Sequence, residues 1–295
     1  MRSLLKLIRY KNLLMVLLML VLTKYALLAS TEFSWLTFID FIGLTLIILL
    51  TTAAGYILND IFDIVADKIN KPEKVYISNT ISVKRGWFFY WSFTVIAIVL
   101  ALLLSKKPIH YSLFFGAPIL LYLYSKFFKK IIFIGNLIIS ILVATPIYLI
   151  FIFEIIAGQP ENLIFGRFSY NIVYFYMAFA FLTTLIREII KDIEDIDGDL
   201  KIKAKTLPVL FGRTRAAKVA FFFSAVLLVF LLVVFKFFKN DVLFLSYGIV
   251  FMLLPLSYFM YKLWITKSKK EISKLSSLMK IIMFFGILSM LLFKT

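Results

Sequence analysis

Nine of the chain's 16 acidic residues fall in two short stretches of similar design. The first reads Asn59-Asp60-Ile-Phe-Asp63-Ile-Val-Ala-Asp67. Spacings of three and then four put Asp60, Asp63 and Asp67 on one helix face. The second reads Asp192-Ile-Glu-Asp195-Ile-Asp-Gly-Asp199, with Asp192, Asp195 and Asp199 at the same spacing and Glu188 extending the face one turn upstream. Like charges so placed destabilise a helix, and near a bilayer they are more costly still. A cation removes both penalties. Mg²⁺ takes one or two carboxylates and completes its shell with phosphate oxygens and water. Two helices that each offer a carboxylate face therefore suit a diphosphate bridged by metal ions. A single D-x-x-D is commonly no more than the solvated side of a loop; two triads in register ask for a ligand.

The elements that must position these acids are membrane helices. Of 295 residues, 62% are hydrophobic and 17% charged, and the mean hydropathy is +0.98. Soluble domains are roughly 45–50% apolar and about 25% charged. There is no cysteine, which excludes disulfides, thiolate nucleophiles and Cys-ligated metals. The single histidine, His110, cannot support a His-rich centre, so a metal here is held by oxygen and is Mg²⁺, Mn²⁺ or Ca²⁺. The net charge of +17 invites a nucleic-acid partner, but the basic residues lie between apolar runs, where they report topology and favour anionic lipid. No nucleic-acid role is expected.

Nine segments reach the length of roughly 20 apolar residues that a bilayer demands: about 12–29, 36–58, 87–104, 110–128, 131–154, 170–190, 216–238, 241–265 and 277–293. Arg2, Lys6, Arg9 and Lys11 before the first run resemble the start of a signal peptide; the length of the run and the spans that follow make it an uncleaved first helix. With the N-terminus inside, cytoplasmic segments hold 26 basic residues and outer ones 6. The positive-inside rule then places the N-terminus and both acidic segments, about 59–86 and 187–215, in the cytoplasm, and the C-terminus outside. The acidic clusters follow the second and sixth spans with equal spacing, which suggests two related halves within one domain covering 1–295.

The stretch Asn59 to Ser82, NDIFDIVADKINKPEKVYISNTIS, resembles the first signature of the UbiA superfamily of membrane prenyltransferases: N-D-x-x-D-x-x-x-D, then N-K-P and usually an Arg. Here N-K-P is Asn70-Lys71-Pro72, and Lys74 stands at the Arg position, which keeps the charge but loses bidentate phosphate geometry. Arg187 to Gly212, REIIKDIEDIDGDLKIKAKTLPVLFG, resembles the second signature. Tyr124-Ser125, Lys129-Lys130 and Gly135-Asn136 look like a third recurring segment. The resemblance implies an all-α integral membrane protein, a bundle of nine transmembrane helices around a central cavity. It implies that Asn59, Asp63, Asp67, Asp195 and Asp199 bind Mg²⁺ and diphosphate, supported by Asp60 and Asp192, with Asp63, Asp67, Asp195 and Asp199 catalytic. It adds Lys74, Tyr124, Lys129, Arg187 and Lys191 as partners of the diphosphate.

The implied reaction passes a prenyl group from its diphosphate to a hydrophobic acceptor. The R-E-I-I-K-D-I-E-D-x-x-G-D form looks most like the subgroup that moves a geranylgeranyl group onto geranylgeranylglyceryl phosphate; members that alkylate aromatic rings in quinone biosynthesis share the motifs. The 33 Phe and 15 Tyr are numerous enough to line a tunnel for the isoprenoid, and aromatic faces stabilise cations. A cation-coupled transporter is the rival class, since it too binds at a repeat interface. Its charges would sit near the midplane, whereas both clusters here lie at helix ends.

Overall fold

The computed structural model describes residues 2–28, 36–105, 108–157, 167–266 and 268–293. Lys106, Lys107 and Lys294, counted above as outer charges, lie outside the described residues. Among those described, every regular element is helical, apart from a single bridge between Ile77 and Ile81. In order they are α1 (Arg2–Leu7), α2 (Tyr10–Leu22), α3 (Phe38–Phe62), α4 (Ile64–Asn70), α5 (Val83–Leu104), α6 (Pro108–Lys126) and α7 (Ile134–Ala157). Then come α8 (Arg167–Lys201), α9 (Leu207–Phe211), α10 (Arg213–Phe237), α11 (Val242–Gly248), α12 (Leu254–Ile265) and α13 (Lys269–Leu288). A π-helical turn, Thr23–Leu27, extends α2, and another, Ile249–Leu253, joins α11 to α12.

A helix thus occupies each of the nine apolar segments, and the chain is a multi-pass membrane protein. Eight of the nine are long and apolar enough to cross a bilayer. The ninth, α6, has 19 residues and is made less apolar by His110, Gly116, Pro118 and three tyrosines. The helices start where polar caps stop the apolar run. Thr37 accepts from the Asp40 N–H, Ser82 from Arg85 and Asp241 from Phe244. Ser268 accepts from the Glu271 N–H, and its hydroxyl donates to the Glu271 carboxylate.

The chain divides into two compact units. The first comprises Met1–Leu20, Leu36–Ile138 and Asp197–Ala204. Here α3 packs along α5 and against α6. Leu7, Ile57, Leu58, Ile61, Ile77 and Tyr90 are buried together at the end of α3 that carries the first motif. Phe62 meets Trp87 and Tyr122 edge-on at 6.1 and 6.0 Å. The segment after α4 folds back into this cluster through Ile77 and Ile81, so the residues beyond the acids are anchored by apolar contact. In lipid such close packing, rather than exclusion of water, holds helices together.

The second unit comprises Val21–Trp35, Ile139–Ile196 and Lys205–Thr295. It holds most of α8, whose 35 residues run about 52 Å at 1.5 Å per residue. That is longer than a hydrocarbon core of about 30 Å requires, and the second motif occupies the C-terminal part of the helix. Tyr176 on α8 shares a hydrogen bond with the Ser289 hydroxyl at 2.7 Å, among rings that include Phe235, Phe238, Phe244 and Phe293. Lys24 and Glu154 form an ion pair, with side chains only 3% and 4% exposed. The two residues lie 130 positions apart in the chain.

Candidate active site

The first motif is not one uninterrupted helix. α3 ends at Phe62, Asp63 has φ −94° and ψ 1°, and α4 begins at Ile64. The hydrogen bonds nevertheless continue at four-residue steps across the break. Asp63 N–H donates to Asn59 O at 2.9 Å, Asp67 N–H to Asp63 O at 2.8 Å, and Lys71 N–H to Asp67 O at 2.8 Å. The backbone ladder runs down the acid stripe itself, so Asn59, Asp63 and Asp67 stay in register despite the bend, as their spacing requires.

Two of these residues share one cation. Lys129 donates to the Asp63 carboxylate and, at 3.4 Å, to Asn59 Oδ1. Lys129 sits in a single 3₁₀ turn, Phe128–Lys130, after α6. Gly135 in the first turn of α7 lets that turn fold back. A Cβ at 135 would lie 2.7 Å from Lys129 Cα and 2.9 Å from Phe128 O, and both contacts are with backbone that cannot swing aside. The Lys129 and Gly135 positions, matched by resemblance alone, are therefore coupled physically.

Asp60 has a different partner, and sequence reasoning missed it. Arg9 donates from Nη2 to Asp60 Oδ1 at 2.8 Å, and its guanidinium lies 4.8 Å from the centre of the Tyr56 ring. Arg9 stands between α1 and α2 with φ +52°, a left-handed conformation that non-glycine residues seldom adopt. Burial works against its charge, but the Asp60 carboxylate and Tyr56 outweigh that and raise its pKa. Asn12 donates to the Tyr56 hydroxyl at 3.3 Å. A polar Asn inside an apolar run was the one available signal that this segment faces something polar.

In the second motif, Leu185, Ile186, Ile189, Ile190, Ile193 and Ile196 are buried, while Asp192, Asp195 and Asp199 are half-buried. Helical periodicity thus separates the acids from the packing face, as expected. Glu188 is 8% exposed and gathers two cations. Arg187 Nη1 reaches it at 3.0 Å, and Lys191 Nζ at 2.8 and 2.9 Å. Both bases expected at a diphosphate are therefore held side by side on α8. Tyr124 is half-buried near the end of α6. Lys74 is exposed on the 3₁₀ turn Pro72–Lys74 and makes no ion pair with the acids among the described residues.

The donor set suits Mg²⁺. Asn59 and Asp63 bring two hard oxygens to a single cationic nitrogen, and neither motif contains histidine or cysteine. Among the described residues no three acidic side chains form a ready-made metal cage. Mg²⁺ does not require one, because it keeps water and binds through one or two carboxylates plus substrate phosphate.

The profile of the UbiA prenyltransferase family matches residues 15–288, and the chain belongs to that family. It is 38% identical over 181 residues to digeranylgeranylglyceryl phosphate synthase of Thermococcus gammatolerans, covering 61% of this chain and 59% of that one. The chain thus spans about three fifths of the length of that relative. With the synthase of the same name from Saccharolobus solfataricus it is 31% identical over 251 residues, 84% of this chain and 82% of the other. A solved structure of a digeranylgeranylglyceryl phosphate synthase superimposes with a TM-score of 0.67 at 26% identity, covering 99% and 97% of the two chains. A UbiA homolog from Archaeoglobus fulgidus bound to DMAPP and Mg²⁺ shares the fold, with a TM-score of 0.59 at 17% identity over 98% and 99% of the chains.

Proposed function

We propose that this protein is a Mg²⁺-dependent prenyltransferase that moves a geranylgeranyl group from its diphosphate onto geranylgeranylglyceryl phosphate, forming an ether and releasing diphosphate. The convergence of Asn59, Asp63 and Lys129 carries the reading, because it brings two oxygen donors to one cationic group. The similarity to named synthases over as much as 84% of the chain supports the lipid acceptor. The family match across 15–288 supports a single functional domain.

In this reading Asn59, Asp60, Asp63, Asp67, Asp192, Asp195 and Asp199 supply oxygens for the metal. When held by these residues, Mg²⁺ would supply charge neutralisation and Lewis-acid activation of the diphosphate. Lys129 carries three donors on a flexible stem, so it turns from Asp63 and Asn59 to the phosphate oxygens. Asn59 and Tyr124 donate hydrogen bonds there. Arg187 and Lys191, already paired about Glu188, meet the charge that grows as the allylic C–O bond breaks, and Lys74 adds charge at the rim. Positive groups aimed at developing charge are the largest lever available to such a site. The electron pair leaves with the diphosphate. Apolar helix faces exclude water from the prenyl cation, whose C1 is then attacked by the acceptor hydroxyl as it releases its proton. The excess of basic residues in the inside segments supports a cell-membrane enzyme with a cytoplasmic N-terminus and a cytoplasmic site.

The test is transfer by the purified protein in nanodiscs, with radiolabelled geranylgeranyl diphosphate, Mg²⁺ and one of two acceptors. Product is expected with geranylgeranylglyceryl phosphate and none with an aromatic acid. Product with the aromatic acid alone would move the enzyme to quinone biosynthesis. Failure to bind the diphosphate would return the transporter to first place.

A further inference from the structure

The ends of the two acidic motifs touch within the first unit, at residues that are not acids. Asn70, the last residue of α4, accepts a hydrogen bond at its Oδ1 from the Gly198 N–H at 2.9 Å. The approach is close. A Cβ at 198 would stand 2.3 Å from Asn70 Nδ2 and 2.6 Å from the Ala66 carbonyl oxygen. The first contact is with a side chain, but the second is with helix backbone, so any larger residue pushes the helices apart. Glycine inside a helix costs about 1 kcal/mol relative to alanine, and here that cost has a specific cause. Ala66 directly precedes Asp67, and Gly198 is flanked by Asp197 and Asp199. The contact therefore fixes backbone next to acids of both motifs.

Like charges brought near one another repel, and helix ends that carry them spread unless something holds them. A metal–diphosphate complex needs its ligands held within about 0.5 Å of the productive geometry. We propose that the Asn70–Gly198 contact is a latch between the acidic motifs, and that Asn70 is a positioning residue for the Mg²⁺–diphosphate site. This rests on the function proposed above. Asn70 is not a metal ligand here. It acts by keeping Asp67 and Asp199 at one separation before the metal arrives, so the metal does not have to draw the helices together.

The test uses the full chain in nanodiscs, and Mg²⁺ with geranylgeranyl diphosphate as the probes. Asn70→Ala and Gly198→Ala should each raise the Mg²⁺ half-saturation for diphosphate binding by about 10–100-fold, the usual effect of disturbing the surroundings of a metal site. The double variant should be no worse than the more damaging single, because both remove one shared contact. Saturating Mg²⁺ should restore much of kcat to Asn70→Ala. A role in folding alone would lower the yield and leave the half-saturation of the folded protein unmoved.

A second readout is independent of binding. The chain has no cysteine, and Lys68 and Lys201 are exposed, so Lys68→Cys with Lys201→Cys takes a spin-label pair. One narrow distance is expected in the parent, broadened by Asn70→Ala. An unchanged half-saturation or an unbroadened distance overturns the latch. Absence of Mg²⁺-dependent binding in the unsubstituted protein would instead overturn the functional reading, and the label distances alone would then judge the latch.

Discussion

Lys129 is the side chain on which the proposed chemistry most depends. It bonds Asp63 and Asn59 at once, so it rests where a divalent ion would compete with it and has short travel to a phosphate. Lys129→Met should cut kcat by about 10²–10³, the effect of removing one donor from a site of developing charge, while the folded yield stays close to normal; a steady-state assay with purified protein measures it. Lys129→Arg should recover only part, because a planar fork cannot follow the same path as an ammonium. The candidacy of Lys129 came from its place in a family-like segment, since no spacing rule links residue 129 to residue 63. Arg9 was less legible. It is one of four N-terminal basic residues that topology alone explains, and its bond to Asp60 spans 51 positions. Pairings of this kind are made by helix packing, which a single sequence does not display.

Among the elements, the turn after α6 makes the sharpest prediction. Gly135→Val must displace the Lys129 backbone, against which even a Cβ stands at 2.7 Å. It should therefore reproduce the kinetic defect of Lys129→Met with Lys129 still present, and the same assay decides. The buried pair Lys24–Glu154 predicts stability rather than rate. Lys24→Met removes this cation from a buried carboxylate and should destabilise the protein by about 3–5 kcal/mol; adding Glu154→Gln should recover most of the loss, as read by thermal unfolding in detergent. Elements were the most readable level of the sequence. Each of the nine apolar runs holds a helix among the described residues. The break at Asp63 left no mark, because Phe62, Asp63 and Ile64 include neither glycine nor proline. The polar C-terminal part of α8 was legible only where apolar residues give way to charged ones near Arg187.

For the whole molecule, orientation and activity are separate claims. Single cysteines in the cysteine-free chain test the first. Lys201→Cys should react with a membrane-impermeant maleimide only in inside-out vesicles, and Lys239→Cys, exposed after α10, only in right-side-out ones. The two acidic motifs, their spacing and the oxygen-only metal chemistry were visible before any fold was known, because charge in an apolar chain is conspicuous. The route by which they meet, through Asn70 and Gly198, was not, because neither residue is charged or unusual in its context. The most direct test of the account is the binding of geranylgeranyl diphosphate to the purified protein in nanodiscs, with and without Mg²⁺, for the unsubstituted chain, Asp63→Ala and Asp195→Ala. The account predicts binding that requires Mg²⁺ and is lost in each variant. Binding that ignores Mg²⁺, or survives either substitution, would contradict it.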